Sequence, residues 1–463
     1  MSTEPASGRA HPDRASAPST SDSRARNPVS WVLSSYLAEG IPFAMVIWVA
    51  GTLFKDLGHK DSEITLATAS IGIMWSLKPL YAGFLDMFRT KRFWVIVMEF
   101  AMAALLVLAA FALRLPNYFH VIIGLLWLLA CASATQDICV DGVYITSLDK
   151  KRQAAWIGLQ GAAWNTGRIF ATAVVVGIAG ALQKRSGLDA KTAWTYALFV
   201  GASTLLGLGV YHYFFLPTGS VPRRPSGAAE VMSTFVDQWI DFLRKPKIWW
   251  MLLFVFLYRS GEGFLLVEAP LFMQAKLSAG GLGLSLEAKG LIDGAVSTLV
   301  SLGAGLAGGA FIAKYGLKRT LVFMALCMNI PHLCYIYLSH AVSPGHPLSI
   351  TTIATLVTIE KFGYSFGFVA NMLYMMQQMS PGKYHMTHYA FCTAFMNLVL
   401  IPTQMASGPL ADWLGYKAFF IFVLVASIPS MIAAWLAPFP NPKDPDEPEE
   451  EIAAGATEAT VEG

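Results

Sequence analysis

Charge is scarce in this chain. Only 14% of its 463 residues are Asp, Glu, Lys or Arg, whereas a soluble domain carries about 25%, so an ordinary soluble protein is excluded. The net charge is only +3, and no dense basic patch with interleaved aromatics occurs, so nucleic-acid binding has no support. The five cysteines, Cys131, Cys139, Cys327, Cys334 and Cys392, lie in apolar runs and form no CxxC pair. They indicate neither a disulfide framework nor a metal site. HExxH and GxSxG are missing, which counts against a membrane enzyme, and no pattern calls for a cofactor. The first residues lack the apolar h-region of a cleavable signal peptide.

What is present is apolar sequence in blocks. The chain is 55% hydrophobic with a mean hydropathy of +0.51, and its runs reach the 20 or so residues that cross a bilayer. Six runs lie at about 29–54, 63–87, 92–113, 117–147, 155–182 and 192–216, and six more at about 248–276, 286–313, 319–340, 348–379, 384–412 and 417–438. The pattern predicts an all-α membrane protein of twelve transmembrane helices, in six-helix halves over 29–216 and 248–438. Two fused repeats give this arrangement. Residues 1–28 and the acidic stretch 439–463 read as disordered tails. The linker 217–247 contains an amphipathic piece, Ser233 to Leu243, suited to a membrane surface. Lys and Arg gather after the second, fourth and eighth runs and in the linker, with Lys383 after the tenth, which places both termini in the cytoplasm. Lys184, Arg185 and Lys191 are the opposing cluster.

The stretch Ala134-Thr-Gln136-Asp137-Ile-Cys-Val-Asp141 places two carboxylates inside the fourth run. Four residues apart, they share one helix face. A carboxylate at the centre of a bilayer costs about 3 kcal/mol on insertion scales, so this face must line a protein interior or a water-filled path. Asp137 and Asp141 have the chemistry for proton coupling, and Arg168 in the fifth run is the expected charge partner. Glu39 beside Gly40 and Pro42, Lys78, Gln136, Trp164 and Asn165 are candidate solute ligands in the first half. Their counterparts in the second are Arg259, Glu262, Glu360, Asn371 and Tyr374. Glu360 and Lys361, being adjacent, point in different directions and are not expected to satisfy each other. Trp48, Trp75, Trp156, Trp164 and Tyr364 are candidates for a wall on which a sugar ring stacks, although interface belts and packing are the commoner use of Trp and Tyr in membrane proteins, Trp164 excepted for its polar neighbours Asn165 and Arg168.

The loops after the second and eighth runs carry the same device. Gly83, Asp86, Arg89 and Arg92 in one, and Gly309, Gly316, Lys318 and Arg319 in the other, form a candidate cytoplasmic gate. These matched loops resemble those of the major facilitator superfamily. With the TQDxxxD segment, Lys78-Pro-Leu-Tyr, Tyr258-Arg259-Ser-Gly-Glu262, His388-Tyr-Ala and Gly408-Pro-Leu-Ala-Asp, the chain resembles the AmpG-type permeases of the peptide–acetyl-CoA transporter family over about residues 31–438. The resemblance implies the major facilitator fold and a monomeric inner-membrane importer, working by proton symport and alternating access on a muropeptide or amino-sugar solute. It departs after Asp141, where Gly-Val-Tyr144 replaces the aromatic–Arg continuation, and a siderophore or acyl-CoA cargo stays open. So does a non-transporting sensor.

Overall fold

The computed structural model describes residues 27–85, 89–148, 150–219 and 227–440. Among these, nine helices are long and apolar enough to cross a membrane. They are span 1 (Pro28–Asp56), span 3 (Lys91–Ala112), span 4 (Tyr118–Ser147), span 5 (Leu159–Ser186), span 6 (Ala190–Phe215), span 7 (Ile248–Gln274), span 8 (Leu286–Tyr315), span 9 (Leu317–Ala341) and the long Thr387–Leu436. The last turns sharply at Gly415, whose φ of 71° and ψ of 156° suit a residue without Cβ. It therefore makes two crossings, spans 11 and 12. Span 2, residues 61–85, is broken by a 3-10 turn at Ala69–Gly72, and span 10 is Ile350–Tyr374. The set is consistent with twelve crossings.

Large apolar side chains point outward from these helices. Leu306, Trp413 and Trp435 are 71%, 79% and 76% exposed, as expected where the surrounding solvent is hydrocarbon. Inside the bundle, small residues set the spacing. A Cβ on Gly40 would lie 2.2 Å from the Trp164 carbonyl oxygen, and one on Gly167 would lie 2.4 Å from that of Leu37. Spans 1 and 5 therefore touch backbone to backbone. Gly363 and Gly367 of span 10 do the same against span 9.

Span 1 is not a regular helix. Pro42 lies inside it, and a π-helical turn follows at Met45–Val49. Proline lacks the amide hydrogen that a helix interior uses, and π turns often sit near functional groups. Spans 5 and 8 carry π turns at Phe170–Val175 and Gly290–Val296, and another, Met375–Met379, follows span 10.

The amphipathic linker piece is part of a helix, Ala228–Leu243. Trp239 stacks on Phe391 of span 11 with ring centroids 4.3 Å apart, and Phe242 is buried. Met232, Val236, Ile240 and Leu243 form an exposed apolar stripe on this helix.

Candidate functional site

A cavity of about 940 Å³ opens on the side of the molecule that carries this surface helix. Spans 1, 2, 4 and 5 contribute Glu39, Phe43, Trp75, Lys78, Asp137, Asp141 and Trp164. Span 11 contributes Thr387, Thr393 and Asn397 opposite. Glu230 and Gln238 of the surface helix border its mouth.

The chemistry is concentrated on the first wall. Helical spacing places Asp137 and Asp141 on one face, and both reach the cavity, as does Glu39 from span 1. Oxygens of the three carboxylates lie within 4.8 Å of one another. Lys78 reaches across from span 2 and forms an ion pair with Asp137. Tyr36 donates its hydroxyl to Asp141 Oδ1 over 2.8 Å. Glu39 is 8% exposed, and its Oε2 has no hydrogen-bond partner among the described residues. Around it Phe43 packs on Trp75 and Trp164, with centroids 4.7 and 5.4 Å away.

Arg168 is not the partner of these carboxylates. Its guanidinium stacks over Trp48, 4.3 Å from the ring centroid, and its electrostatic neighbours are Asp293 and Tyr364 of the second half. Lys78 takes the expected role instead, because its long stem spans the gap that Arg168, further along span 5, turns away from. Gln136 is also displaced from the site. Consecutive helical residues point about 100° apart, so Gln136 faces span 3 when Asp137 faces the cavity. It is fully buried and donates to Glu99 Oε1 over 3.0 Å. Glu99 in turn holds His212 Nδ1 at 2.7 Å, and His212 Nε2 lies 3.0 Å from Ser34 Oγ. This chain, fully buried at Gln136, Glu99 and His212 and half-buried at Ser34, ties spans 1, 3, 4 and 6 together. Asn165 donates to its own helix at Gly161.

The second-half candidates do not line the cavity. Arg259 is forked onto Glu262, with Nη2 to Oε1 at 2.6 Å, and stacks over Phe368 at 4.8 Å. The two flank the break between Ile248–Tyr258 and Glu262–Gln274, and Arg259 Nη2 also lies 3.5 Å from the Tyr364 hydroxyl. Lys361 Nζ lies 3.3 Å from Glu360 Oε2, so these neighbours do meet, contrary to expectation. Lysine's flexible stem accounts for the reach. Asn371 donates to Met396 Sδ over 3.4 Å, and Tyr374 donates to the Pro438 carbonyl.

In the loop device, Asp86 lies outside the described residues, and Gly83 ends up in the helix Lys78–Leu85. Arg89 sits 5.7 Å from the Phe93 ring centroid, and Arg92 donates to the Tyr213 carbonyl. Gly316 has a φ of +83° at the turn between spans 8 and 9, where Lys318 lies 6.0 Å from the Phe439 ring centroid. Gly309 meets only open space, and Arg319 follows in span 9.

The opposite end of the bundle is sealed. Tyr416 donates to Asp61 Oδ2 over 2.5 Å, and Asp61 also pairs with Lys55. The Ser62 amide donates to Asp412, and the Gly408 amide donates to Thr65. A Cβ on Gly408 would lie 2.3 Å from the Asp61 carbonyl oxygen. Gln274 donates to the Thr52 carbonyl over 3.0 Å. Lys184 and Arg185 lie 3.8 Å from Glu287, which gives the basic cluster on this side a partner in the other half. Lys184, Arg185, Gly408 and Asp412 stand out in the sequence for other reasons, but the closing role of Asp61 and Tyr416 has no sequence signal, because it comes from a contact across 355 positions.

A charged cavity near mid-bundle, open to one end and sealed at the other by contacts between the halves, is the arrangement of a secondary active transporter. The major facilitator superfamily model matches residues 32–379 and 278–461, and the chain belongs to that family. Within it the chain is AmpG-like. It is 23% identical over 411 residues to a Rickettsia felis relative carrying the provisional name transporter AmpG 4, covering 85% of this chain and 92% of that one. It is 20% identical over 408 residues to the anhydromuropeptide permease of Escherichia coli K12, covering 85% and 76%. In fold it is similar to a bacterial homologue of the lysosomal transporter Spinster, inward-facing and unoccupied (TM-score 0.68, 14% identity, 90% and 98% covered). It is similar too to the inward-open xylose transporter XylE of Escherichia coli (TM-score 0.62, 14% identity, 92% and 98% covered). The protein is a transporter and not an enzyme.

Proposed function

We propose that the protein is a monomeric, proton-coupled importer of the inner membrane. It takes a sugar- or peptide-containing solute of the muropeptide or amino-sugar type into the cell. The single observation that carries this reading is the cluster of Glu39, Asp137, Asp141 and Lys78 on the wall of a one-sided cavity. A carboxylate held against a lysine is a device that one proton can switch. Protonating Asp137 removes its attraction for Lys78 and turns the ammonium free toward a cargo anion. Carboxylates this close take up protons as a group, so Asp141 shares the coupling role. The aromatic wall of Phe43, Trp75 and Trp164 offers faces for a sugar ring. The similarity to the anhydromuropeptide permease favours the same class of cargo.

The basic loops lie on the end where the cavity opens, which supports cytoplasmic termini and an inward-open state. The two halves, 29–216 and 248–438, then rock about the site. Opening the other end requires breaking the Asp61–Tyr416 contact.

The test is uptake of labelled anhydro-muropeptides, amino sugars and siderophores into liposomes holding the purified protein, with and without an inward proton gradient. Gradient-dependent accumulation of a muropeptide or amino sugar is expected. Absence of gradient-dependent uptake for every solute would sink the symport reading.

A further inference from the structure

We propose that Glu39 is the seat of a protonated amine on the cargo, so that the transported solute carries an ammonium group. The inference rests on the cavity being the solute site of the transporter, and it goes beyond that reading by fixing a charge on the solute.

The three carboxylates at the site are not equivalent. Asp137 is neutralised by Lys78, and Asp141 accepts the Tyr36 hydroxyl at 2.8 Å. Glu39 shares a hydrogen bond with the Trp164 side chain, yet its Oε2 has no partner among the described residues, although Glu39 is 92% buried and lines the cavity. A buried carboxylate oxygen left without a donor is costly, and Glu39 borders the open cavity, from which a cargo donor approaches it. An ammonium has three N–H donors. With oxygens of Glu39, Asp137 and Asp141 all within 4.8 Å of one another, one ammonium can bridge Glu39 and Asp141 while Lys78 keeps Asp137. The site already accepts this chemistry, since the Lys78 ammonium sits in it. Phe43, Trp75 and Trp164 stand on the same wall, and their faces favour a cation. The span 11 wall opposite contributes Thr387, Tyr389, Thr393 and Asn397, which carry no charge to oppose it. When a proton on Asp137 releases Lys78, the same pocket presents one anionic and one cationic seat, which suits a zwitterionic amine.

The experiment uses the purified full-length protein and matched probes that differ only in a free or acetylated amine: glucosamine against N-acetylglucosamine, and alanyl-alanine against N-acetyl-alanyl-alanine. Thermal stabilisation reads binding, and liposome uptake reads transport. The free-amine probes are expected to bind about tenfold or more tightly than their acetylated partners. Glu39→Gln should erase that difference, and Glu39→Asp, which keeps the charge, should restore part of it in a protein of unchanged elution profile. Equal binding of both members of each pair, a preference that survives in Glu39→Gln, or binding by neither member would overturn the proposal. So would a Glu39-dependent shift produced by sodium chloride in place of potassium chloride, which would make the seat one for an inorganic cation. Accumulation of acetylated probes alone removes the ammonium seat and leaves the transporter reading standing. Accumulation of no probe or muropeptide removes both.

Discussion

The Tyr416 hydroxyl donates to Asp61 Oδ2 across 2.5 Å, joining the start of span 12 to the start of span 2. These residues come from different halves of the chain, and the bond closes the end of the bundle opposite the cavity mouth. Lys55 completes the group through its ion pair with Asp61 and a 3.4 Å contact to the Tyr416 hydroxyl.

Removing this bond should favour the outward-open state. A hydrogen bond to a charged group contributes about 1.5–3 kcal/mol, so Tyr416→Phe is expected to shift the balance between states by about tenfold or more. A cysteine placed at Thr65, a buried residue of the same interface, reports it. Alkylation from the outer side should rise by about that factor in the Tyr416→Phe background. An unchanged rate would mean that the other contacts of this end, among them Ser62–Asp412 and the Gly408–Asp61 packing, hold it shut without the Tyr416 bond.

The contact between spans 1 and 5 is expected to resist any added carbon. Gly40→Ala and Gly167→Ala each push a methyl group into a carbonyl oxygen closer than 2.5 Å. Overpacking of this kind costs about 1–3 kcal/mol, and the same displacement moves Glu39 and Trp164 relative to each other. Lower thermal stability and reduced uptake should appear together. Gly207→Ala, at a position with nothing within 4 Å, is the control and should leave both unchanged. A stable, active Gly40→Ala protein would contradict the close packing.

Glu99 and His212 are both fully buried and face each other at 2.7 Å. Truncating Glu99 strands His212 and Gln136 without their partner, at a cost of about 1–3 kcal/mol for each buried polar group left unpaired. Glu99→Ala should therefore lower the amount of folded protein in the membrane and its unfolding temperature. Whatever folds should keep the wild-type preference among solutes, because neither residue lines the cavity. Altered selectivity at normal stability would show that this chain reaches the cargo.

The architecture was legible because it rests on length and hydropathy. Twenty-residue apolar blocks and the position of basic loops follow from the bilayer, not from tertiary detail. Asp137 and Asp141 were legible for a related reason: their spacing fixes a shared face, and hydrocarbon forbids that face from pointing outward. Which residue answers them was not. Arg168 and Lys78 are both cations within apolar runs, and the choice depends on how spans 2 and 5 rotate against span 4, a matter of packing. Gln136 leaves the site because adjacency in sequence is not adjacency in space: one step along the helix turns its side chain onto the face that meets Glu99. Phe43 and Tyr36 give no signal of their own in a chain with 29 Phe and 16 Tyr, and Asp61 and Tyr416 acquire meaning only when the halves meet.

The sharpest division of roles concerns Asp137 and Lys78. If Asp137 couples the proton, Asp137→Asn should abolish gradient-driven accumulation. The amide cannot be ionised, so a proton no longer changes the state of the pair. Exchange of solute across the membrane without a gradient should persist within about threefold, because the cavity walls and Glu39 remain and Lys78 is free toward the cargo, as it is when Asp137 carries its proton. Lys78→Met makes the complementary case. It removes the cation that a proton on Asp137 would release, so accumulation should fail, and exchange should fall with it because the cationic seat for the cargo is lost. Parallel measurements of accumulation and counterflow in liposomes separate the two variants. Unimpaired accumulation in Asp137→Asn would reduce the pair to a structural tie between spans 2 and 4, and would move the coupling role to Asp141 or Glu39.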